Sequence, residues 1–494
     1  MNANAAALPA SNREVGYFLS LLFQAFMLFV ILLFMLFGNP RNIEPLVVSR
    51  VGLVVTLICA VQLGARGVLR PPFLLFATFV LFSFGVPLIL AVNPSYTDWY
   101  LQQIDYATYS YFCCYTILCV QAYSIGLLLA CQGESYGNAD NEGSNRGFFD
   151  GLSQLFEENN KTVSSVSTGL FIVFGLVSFA YAFRFTATSV ASGIGVARQV
   201  VQNSALDNLC RGMFVPAGFM VLSYSRSSSR KHFVLGALFF YAALTCLSGD
   251  RTEGLTLLVA VFVYWYWRMG SKGGANFLKS VVAFFACIFI IFLIPAIASF
   301  RIGGNADFGG IGAVIEGVFS ELGFNFYTVC FQSSLHLPTY NGLTYLASLT
   351  ALLPTSFDLL GVREAANVLF GEVIYNKGMA ALYPWATFGL GYSLVAESFL
   401  NFKVFGFLLI ALFGFLGGRL CGRDGRSSLD SYLSYSFLWA FLTLARRGFN
   451  FPVNSIEYIL LFVPFLVYVL LRLSLQLTSK RHIRGISVGG FHEK

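Results

Sequence analysis

The chain has 494 residues, of which 56% are hydrophobic, 17% aromatic and only 11% charged. Soluble domains carry roughly 25% charged residues, and a mean hydropathy of +0.70 excludes an ordinary soluble protein. The net charge of +7, from 31 basic and 24 acidic residues, comes without the interleaved basic and aromatic surface of a nucleic-acid binder, so no nucleic-acid partner is expected.

Apolar stretches of about 20 residues recur from end to end, each long enough to cross a hydrocarbon core about 30 Å thick. A β-barrel would show short alternating segments instead. The chain therefore reads as an all-α polytopic membrane protein, residues 1–494 forming one integral membrane domain. The ten cysteines are scattered through apolar runs without CxxC spacing. They read as small buried hydrophobes rather than a disulfide framework or zinc site. Four histidines, widely dispersed, do not make a metal cluster.

In chain order, the first fourteen residues are polar or small and precede an apolar run with no small-residue cleavage site. That predicts an uncleaved first helix near 15–37. Spans follow near 46–64, 71–92 and 106–130. Residues 131–164 are polar and Gly/Asn/Glu-rich, and are expected as a cytoplasmic loop acting as a linker. Further spans are expected near 165–184, 212–225, 233–248, 254–269 and 277–300. Residues 301–402 form the largest non-spanning region, with apolar periodicity for short helices at Leu343–Pro354 and Gly391–Phe402. An ordered loop this long is usually functional. The last spans lie near 403–420, 430–445 and 455–477, for a total of about twelve.

Short loops rich in Lys and Arg mark the cytoplasmic side. Arg66 and Arg70, Arg226 to His232, Arg268 with Lys272 and Lys279, Arg419 with Arg423 and Arg426, and Lys480 to Arg484 all fall on one side. The loop Asn93–Tyr106, on the other side, has neither residue type. Both termini are then cytoplasmic.

Lysine is nearly absent from the predicted outer face, where only Lys377 appears, whereas Arg41, Arg184, Arg198, Arg211, Arg251, Arg301, Arg363, Arg446 and Arg447 lie at or near it. Such arginines can snorkel to headgroups or pair with a carboxylate, as Arg251 could with Asp250 or Glu253. An arginine at mid-helix costs about 2.5–3.5 kcal/mol on insertion scales, so a set of them calls for a reason. Preference for the planar guanidinium suggests bidentate binding of phosphate or carboxylate. No P-loop, HExxH or GxSxG motif competes with that reading.

The stretch SELGFNFYTVCFQSSLHLPTYNGLTYLASLTALLP, followed by GLGYSLVAESFLNFKVFG, resembles the Wzy class of O-antigen repeat-unit polymerases. The matching parts are Glu321 before Gly323, the GLTYL segment from Gly342, the Leu-Pro ending at Pro354, and the AES-x-LNF run to Phe402. The usual pattern has a glycine after NF, where this chain has Lys403. The resemblance implies a GT-C-like glycosyltransferase of the bacterial inner membrane. It would act at the periplasmic face on undecaprenyl-pyrophosphate-linked oligosaccharides, moving the growing glycan to the non-reducing end of a new lipid-linked unit. No metal, nucleotide sugar or other cofactor is implied; a separate chain-length regulator is a suggested partner.

That chemistry fits the arginines. A departing lipid pyrophosphate needs positive charge held in place beforehand; Arg251, Arg301, Arg446 and Arg447 are the first candidates, with Arg198 and Arg211 beside them. An acceptor hydroxyl needs a base within hydrogen-bond reach, and Glu397, Glu321 and His336 are available. Ser393 and Glu397 share a helical face; an alternative for Glu397 is a salt bridge to an outer arginine. Tyr340, Tyr345, Tyr383, Trp385 and Tyr392 could stack on sugars or act as packing and interfacial anchors. Phe449 and Phe451 are expected at the interface beside the arginine pair. A lipid-linked oligosaccharide flippase would instead show paired broken helices and an internal repeat, and an O-antigen ligase would use similar chemistry on a different acceptor.

Overall fold

The computed structural model describes residues 10–65, 67–136, 148–192, 197, 200–201, 204–248, 251–269, 310–333, 339–350, 393–422, 427–449 and 455–488. Every regular element among them is helical. In chain order these are α1 (Ala10–Phe37), α2 (Pro45–Gly64), α3 (Pro71–Val92), α4 (Trp99–Gln102), α5 (Tyr106–Tyr136), α6 (Phe148–Glu158), α7 (Asn160–Ser192), α8 (Ala205–Tyr224) and α9 (Ser228–Leu247). There follow α10 (Arg251–Tyr264), α11 (Ile311–Leu322), α12 (Asn325–Ser333), α13 (Leu343–Thr350), α14 (Leu394–Phe402), α15 (Phe407–Cys421), α16 (Ser428–Arg447) and α17 (Val463–Val488). A π-helical turn, Tyr458–Phe462, leads into α17.

Local chemistry sets many of these boundaries. Pro45 and Pro71 open α2 and α3 at the position where a missing N–H costs nothing. Ser204 and Asp207 form a reciprocal capping box on α8, which satisfies two otherwise unpaired amides. Ser227 caps α9 by accepting from the Arg230 amide.

Eight of the described helical stretches are long and apolar enough to cross a membrane: Gly16–Phe37, Pro45–Gly64, Pro71–Val92, Tyr106–Cys131, Asn160–Ser192, Ser228–Leu247, Leu394–Cys421 and Ser455–Leu477. The runs expected near 212–225, 254–269 and 430–445 are also helical, as α8, α10 and α16, without being in that set. The run at 277–300 lies outside the described residues. The segment expected as a linker, 131–164, differs from the expectation in its described part. Helix α5 continues to Tyr136, and α6 is a strongly amphipathic helix. Its Phe148, Leu152, Leu155 and Phe156 recur at helical spacing, a pattern that polarity counts over the whole segment conceal.

The chain divides into two compact units. The first comprises Met1–Asn141, Asn276–Gly422 and Ala440–Val453, and the second Glu142–Ala275, Arg423–Trp439 and Asn454–Lys494. In the first, α5 is central and packs on α1, α2, α3 and α15. Its contact with α15 is made backbone to backbone. A Cβ on Gly126 would lie 2.0 Å from the Ala411 carbonyl oxygen, and one on Gly414 would lie 2.5 Å from that of Tyr123. Small residues at helix contacts let dispersion and weak polar contacts replace the hydrophobic drive that lipid removes. Gly126→Val is therefore expected to keep the chain from accumulating in the membrane fraction, whereas Gly236→Val, with open space around it, should accumulate normally; quantitative immunoblotting of membranes checks both.

The first unit also carries buried polar bonds between helices. The Gln121 side chain of α5 donates to Gln24 of α1, whose own amide reaches Gln62 of α2. The nine described cysteines are all buried, in keeping with their reading as small hydrophobes. In the second unit, α7 packs on α8 through stacked Phe171 and Phe214, with Tyr241 edge-on to Phe214.

Candidate functional site

The two segments that carry the resemblance meet in the first unit. Tyr340 and Asn341 donate backbone amides to the carbonyls of Leu400 and Asn401. Positive φ at Asn341 and Gly342 then turns the chain into α13. That helix is polarised in an unusual sense: Leu343, Leu346 and Leu349 are exposed, while Thr344, Tyr345 and Ser348 are buried. An outward apolar stripe is what a helix lying against lipid presents, and the inward polar face serves α14.

Ser393 caps α14, accepting from the Ala396 amide at 3.1 Å, so its hydroxyl is used in building the helix. One turn later Glu397 is fully buried. One of its carboxylate oxygens accepts from the Thr344 hydroxyl at 2.9 Å. The other accepts from the Phe449 backbone amide at 2.7 Å. Asn401 completes the set: its amide donates to Thr344 Oγ1 at 2.7 Å and to the Glu397 carbonyl at 2.9 Å, and its oxygen accepts from the Gly342 amide at 3.0 Å. A buried carboxylate is tolerated only when hydrogen-bonded on both oxygens, and this one is. The salt bridge considered for Glu397 is replaced by a backbone amide, two residues after Arg447.

That amide is presented by the end of α16. Gly448 stands at φ 68°, and its N–H returns to the Leu444 carbonyl at 3.1 Å, a left-handed cap that only glycine adopts without strain. The turn directs Phe449 inward, against Tyr345 and Phe413 at ring separations of 5.3 and 5.2 Å. Phe449 therefore joins an aromatic cluster, its backbone drawn in by the carboxylate of Glu397. Arg446, half-buried, lies with its guanidinium 5.7 Å from the Phe82 ring. Its carbonyl accepts from the Asn325 side chain at 3.3 Å. Arg447 is likewise half-buried.

Lys403, where the resemblance expects glycine, follows α14 at φ 51° and ψ −134°, a region that side chains avoid. Its ammonium sits 5.5 Å from the Phe399 ring. Such strain costs of order 1–3 kcal/mol. Lys403→Gly is expected to raise thermal stability of the purified chain in detergent, read by the unfolding midpoint, with polymer length unchanged.

Glu321, also half-buried, ends α11, four residues before Asn325. Around it the Asn93–Tyr106 loop is tied to α11 and α12. Asp98 caps α4 through the Leu101 amide at 2.7 Å and accepts from the hydroxyls of Tyr96 and Tyr327. The Tyr96 oxygen also pairs with the Ser320 hydroxyl at 3.0 Å, and Asn93 donates to Glu316 at 2.9 Å. Tyr100 packs edge-on to Phe324; burial, with the charges of Glu321 and Asp98 adding to it, pushes its phenol above the usual range.

The structure thus brings together Glu397, Arg446 and Arg447, with Glu321 on a neighbouring element of the same unit. Arg211 lies in the second unit. It pairs with Glu253 at 3.5 Å and lies 4.5 Å from the Tyr181 ring. Glu253 thus serves Arg211. Arg251 begins α10, and its side chain is outside the described residues, as are His336, Arg301, Arg198, Tyr392, Tyr383, Trp385 and Phe451. Among the described residues, no group of three or more metal-ligating side chains forms a metal site. Thr344, Asn401 and Asn325 went unmarked as functional in the sequence. All three stand inside the resembling segments, but the pairing of Thr344 with Asn401, 57 residues apart, leaves no local signal.

Long apolar helices, buried inter-helical polar bonds and a charged helix end clamped by a buried carboxylate define a multi-pass helical membrane protein with a built polar site. Residues 18–478 match the family model for the O-antigen polysaccharide polymerase Wzy, and the chain belongs to that family. Its activity is polymerisation of O-antigen repeat units, with lipid-linked oligosaccharides as the implied substrates. No curated protein and no solved structure matches the chain.

Proposed function

We propose that the chain joins undecaprenyl-pyrophosphate-linked repeat units at the periplasmic face of the bacterial inner membrane, as a GT-C-like glycosyltransferase that needs no metal. The observation supporting this most directly is the bond from the Phe449 amide to Glu397, which docks the Arg446–Arg447 helix end onto the resembling segments. In the proposed step the acceptor hydroxyl oxygen at the non-reducing end of a new unit attacks the anomeric carbon of the growing glycan. The bond from that carbon to the pyrophosphate oxygen breaks, and its electron pair leaves with the lipid pyrophosphate.

Arg446 and Arg447 stabilise the charge that accumulates on the leaving group, a role in which preorganised cations act without reorganising. Arg251 and Arg301 are proposed to assist, with Arg198, Arg211 and Tyr392 contacting the remaining glycan or lipid. The proton from the acceptor passes to a base, for which Glu321 and His336 remain the proposed candidates. Glu397, enclosed and bonded on both oxygens, is assigned the positioning of the arginine-bearing turn. A chain-length regulator is a proposed partner.

The test is elongation in vitro: purified chain with lipid-linked repeat units should yield a ladder of polymer. Lipid-linked units that cross between leaflets without growing would point to a flippase, and transfer to a lipid A core acceptor without polymerisation to a ligase.

A further inference from the structure

The second unit holds a cleft lined by none of the residues proposed for polymerisation. This cleft of about 900 Å³ runs between α6 and the π-turn and α17, near the upper end of the roughly 300–1,000 Å³ of small-molecule sites. Its body is apolar, built from Leu155 of α6 and from Leu461, Phe462 and Phe465 of the facing segment. Phe465 and Leu461 are 63% and 61% exposed, so this wall is open to an occupant. Its lining also carries both signs of charge, the exposed Glu158 from α6 and the exposed Arg472 from α17.

Each charge is braced from its own helix. Gln154 donates to Glu158 at 3.0 Å, and Arg472 Nε donates to the Tyr468 hydroxyl at 3.3 Å, both across one helical turn. Among the described residues, no ion pair joins Glu158 to Arg472. Two opposite charges thus line one cleft without neutralising each other.

Arg472 lies inside the apolar stretch Ser455–Leu477, where an unneutralised charge is costly and marks a functional position. It stands five residues from the end of that stretch, about 8 Å at helical rise, within snorkelling reach of the headgroup layer. Helix α6, short and amphipathic, is of the kind that lies in that same layer. From Arg472 to Leu460, which stands five residues from the other end of the stretch, is twelve residues, about 18 Å. The cleft therefore runs along the central part of this apolar stretch, with apolar walls and charges of both signs in its lining.

We infer that this cleft is a binding site for phosphatidylethanolamine, its phosphate held by Arg472, its ammonium by Glu158 and an acyl chain along Leu461, Phe462 and Phe465. An anionic phospholipid would satisfy Arg472 but bring negative charge beside Glu158. A polyisoprenyl phosphate would leave Glu158 unmatched in the same way.

The experiment is lipid retention by the full-length chain. The purified protein is exchanged into nanodiscs holding equal amounts of phosphatidylethanolamine and phosphatidylglycerol with a trace of undecaprenyl phosphate, then extracted in detergent and weighed by native mass spectrometry. Phosphatidylethanolamine should be retained several-fold over the other two. Arg472→Gln should lose about tenfold in retention, as expected for one charge-assisted bond. Glu158→Lys should reverse the preference towards phosphatidylglycerol, and this variant carries the test if Arg472→Gln does not fold. Equal retention of the lipids by the unaltered chain, preferential retention of undecaprenyl phosphate, or an unchanged preference in Glu158→Lys would each overturn the assignment.

Discussion

Replacing Arg446 with alanine is expected to leave the chain in the membrane and reduce its product from long polymer to a single repeat unit. Each charge-assisted bond to a pyrophosphate oxygen is worth about 1.5–3 kcal/mol. Losing one or two in the transition state slows each addition by about ten- to a thousandfold or more. Fold should survive, because the Arg446 carbonyl, which holds Asn325, is unaffected by the side chain. Arg447→Ala should act in the same direction. Adjacent helical residues point about 100° apart, so comparing the two variants identifies which guanidinium faces the leaving group. Arg446→Lys should also be impaired if the contact is bidentate. Glycan ladders from cells carrying each variant, normalised to protein in the membrane, supply the measurement; ladders of full length from both alanine variants would sink the arginine assignment.

The second large effect concerns Glu397, where glutamine and alanine should part company. Alanine leaves the Phe449 amide and the Thr344 hydroxyl buried without their acceptor, at about 1–3 kcal/mol each. It also opens a cavity beneath Asn401. The turn carrying Arg446 and Arg447 then loses its anchor, and both polymer length and thermal stability should fall. Glutamine keeps an acceptor for Phe449 in nearly the same volume, and its amide can donate to Thr344 after the hydroxyl rotates. Glu397→Gln is therefore expected to retain much of the ladder. A glutamine variant that is stable but makes no polymer would instead place the carboxylate's proton chemistry in the reaction and restore Glu397 as a base.

Particular residues show how far the sequence was legible. The GLTYL and AES-x-LNF segments form α13 and α14 where apolar periodicity placed short helices, since a helical period marks a helix whichever face it turns inward; in α13 the apolar stripe is the exposed one. Lys403 could be recognised as a departure from a glycine, and the structure supplies the reason in its φ of 51°. Ser393 was noted for sharing a face with Glu397, yet it serves as the helix cap, because the amide it accepts from exists only once α14 has formed. Helix α6 was hidden inside a polar segment.

The sequence by itself determined that the chain is a polytopic helical membrane protein, where most helices run, and which segments carry its family resemblance. These are properties of contiguous residues, since apolar length alone decides whether a segment can cross a bilayer. Tertiary structure decided the partners. Glu397 meets the Phe449 amide 52 residues away, Thr344 meets Glu397 across 53, and Glu253 meets Arg211 across 42. A buried polar group must be satisfied by whatever group packing brings to it, and packing over such separations is not written in any local stretch.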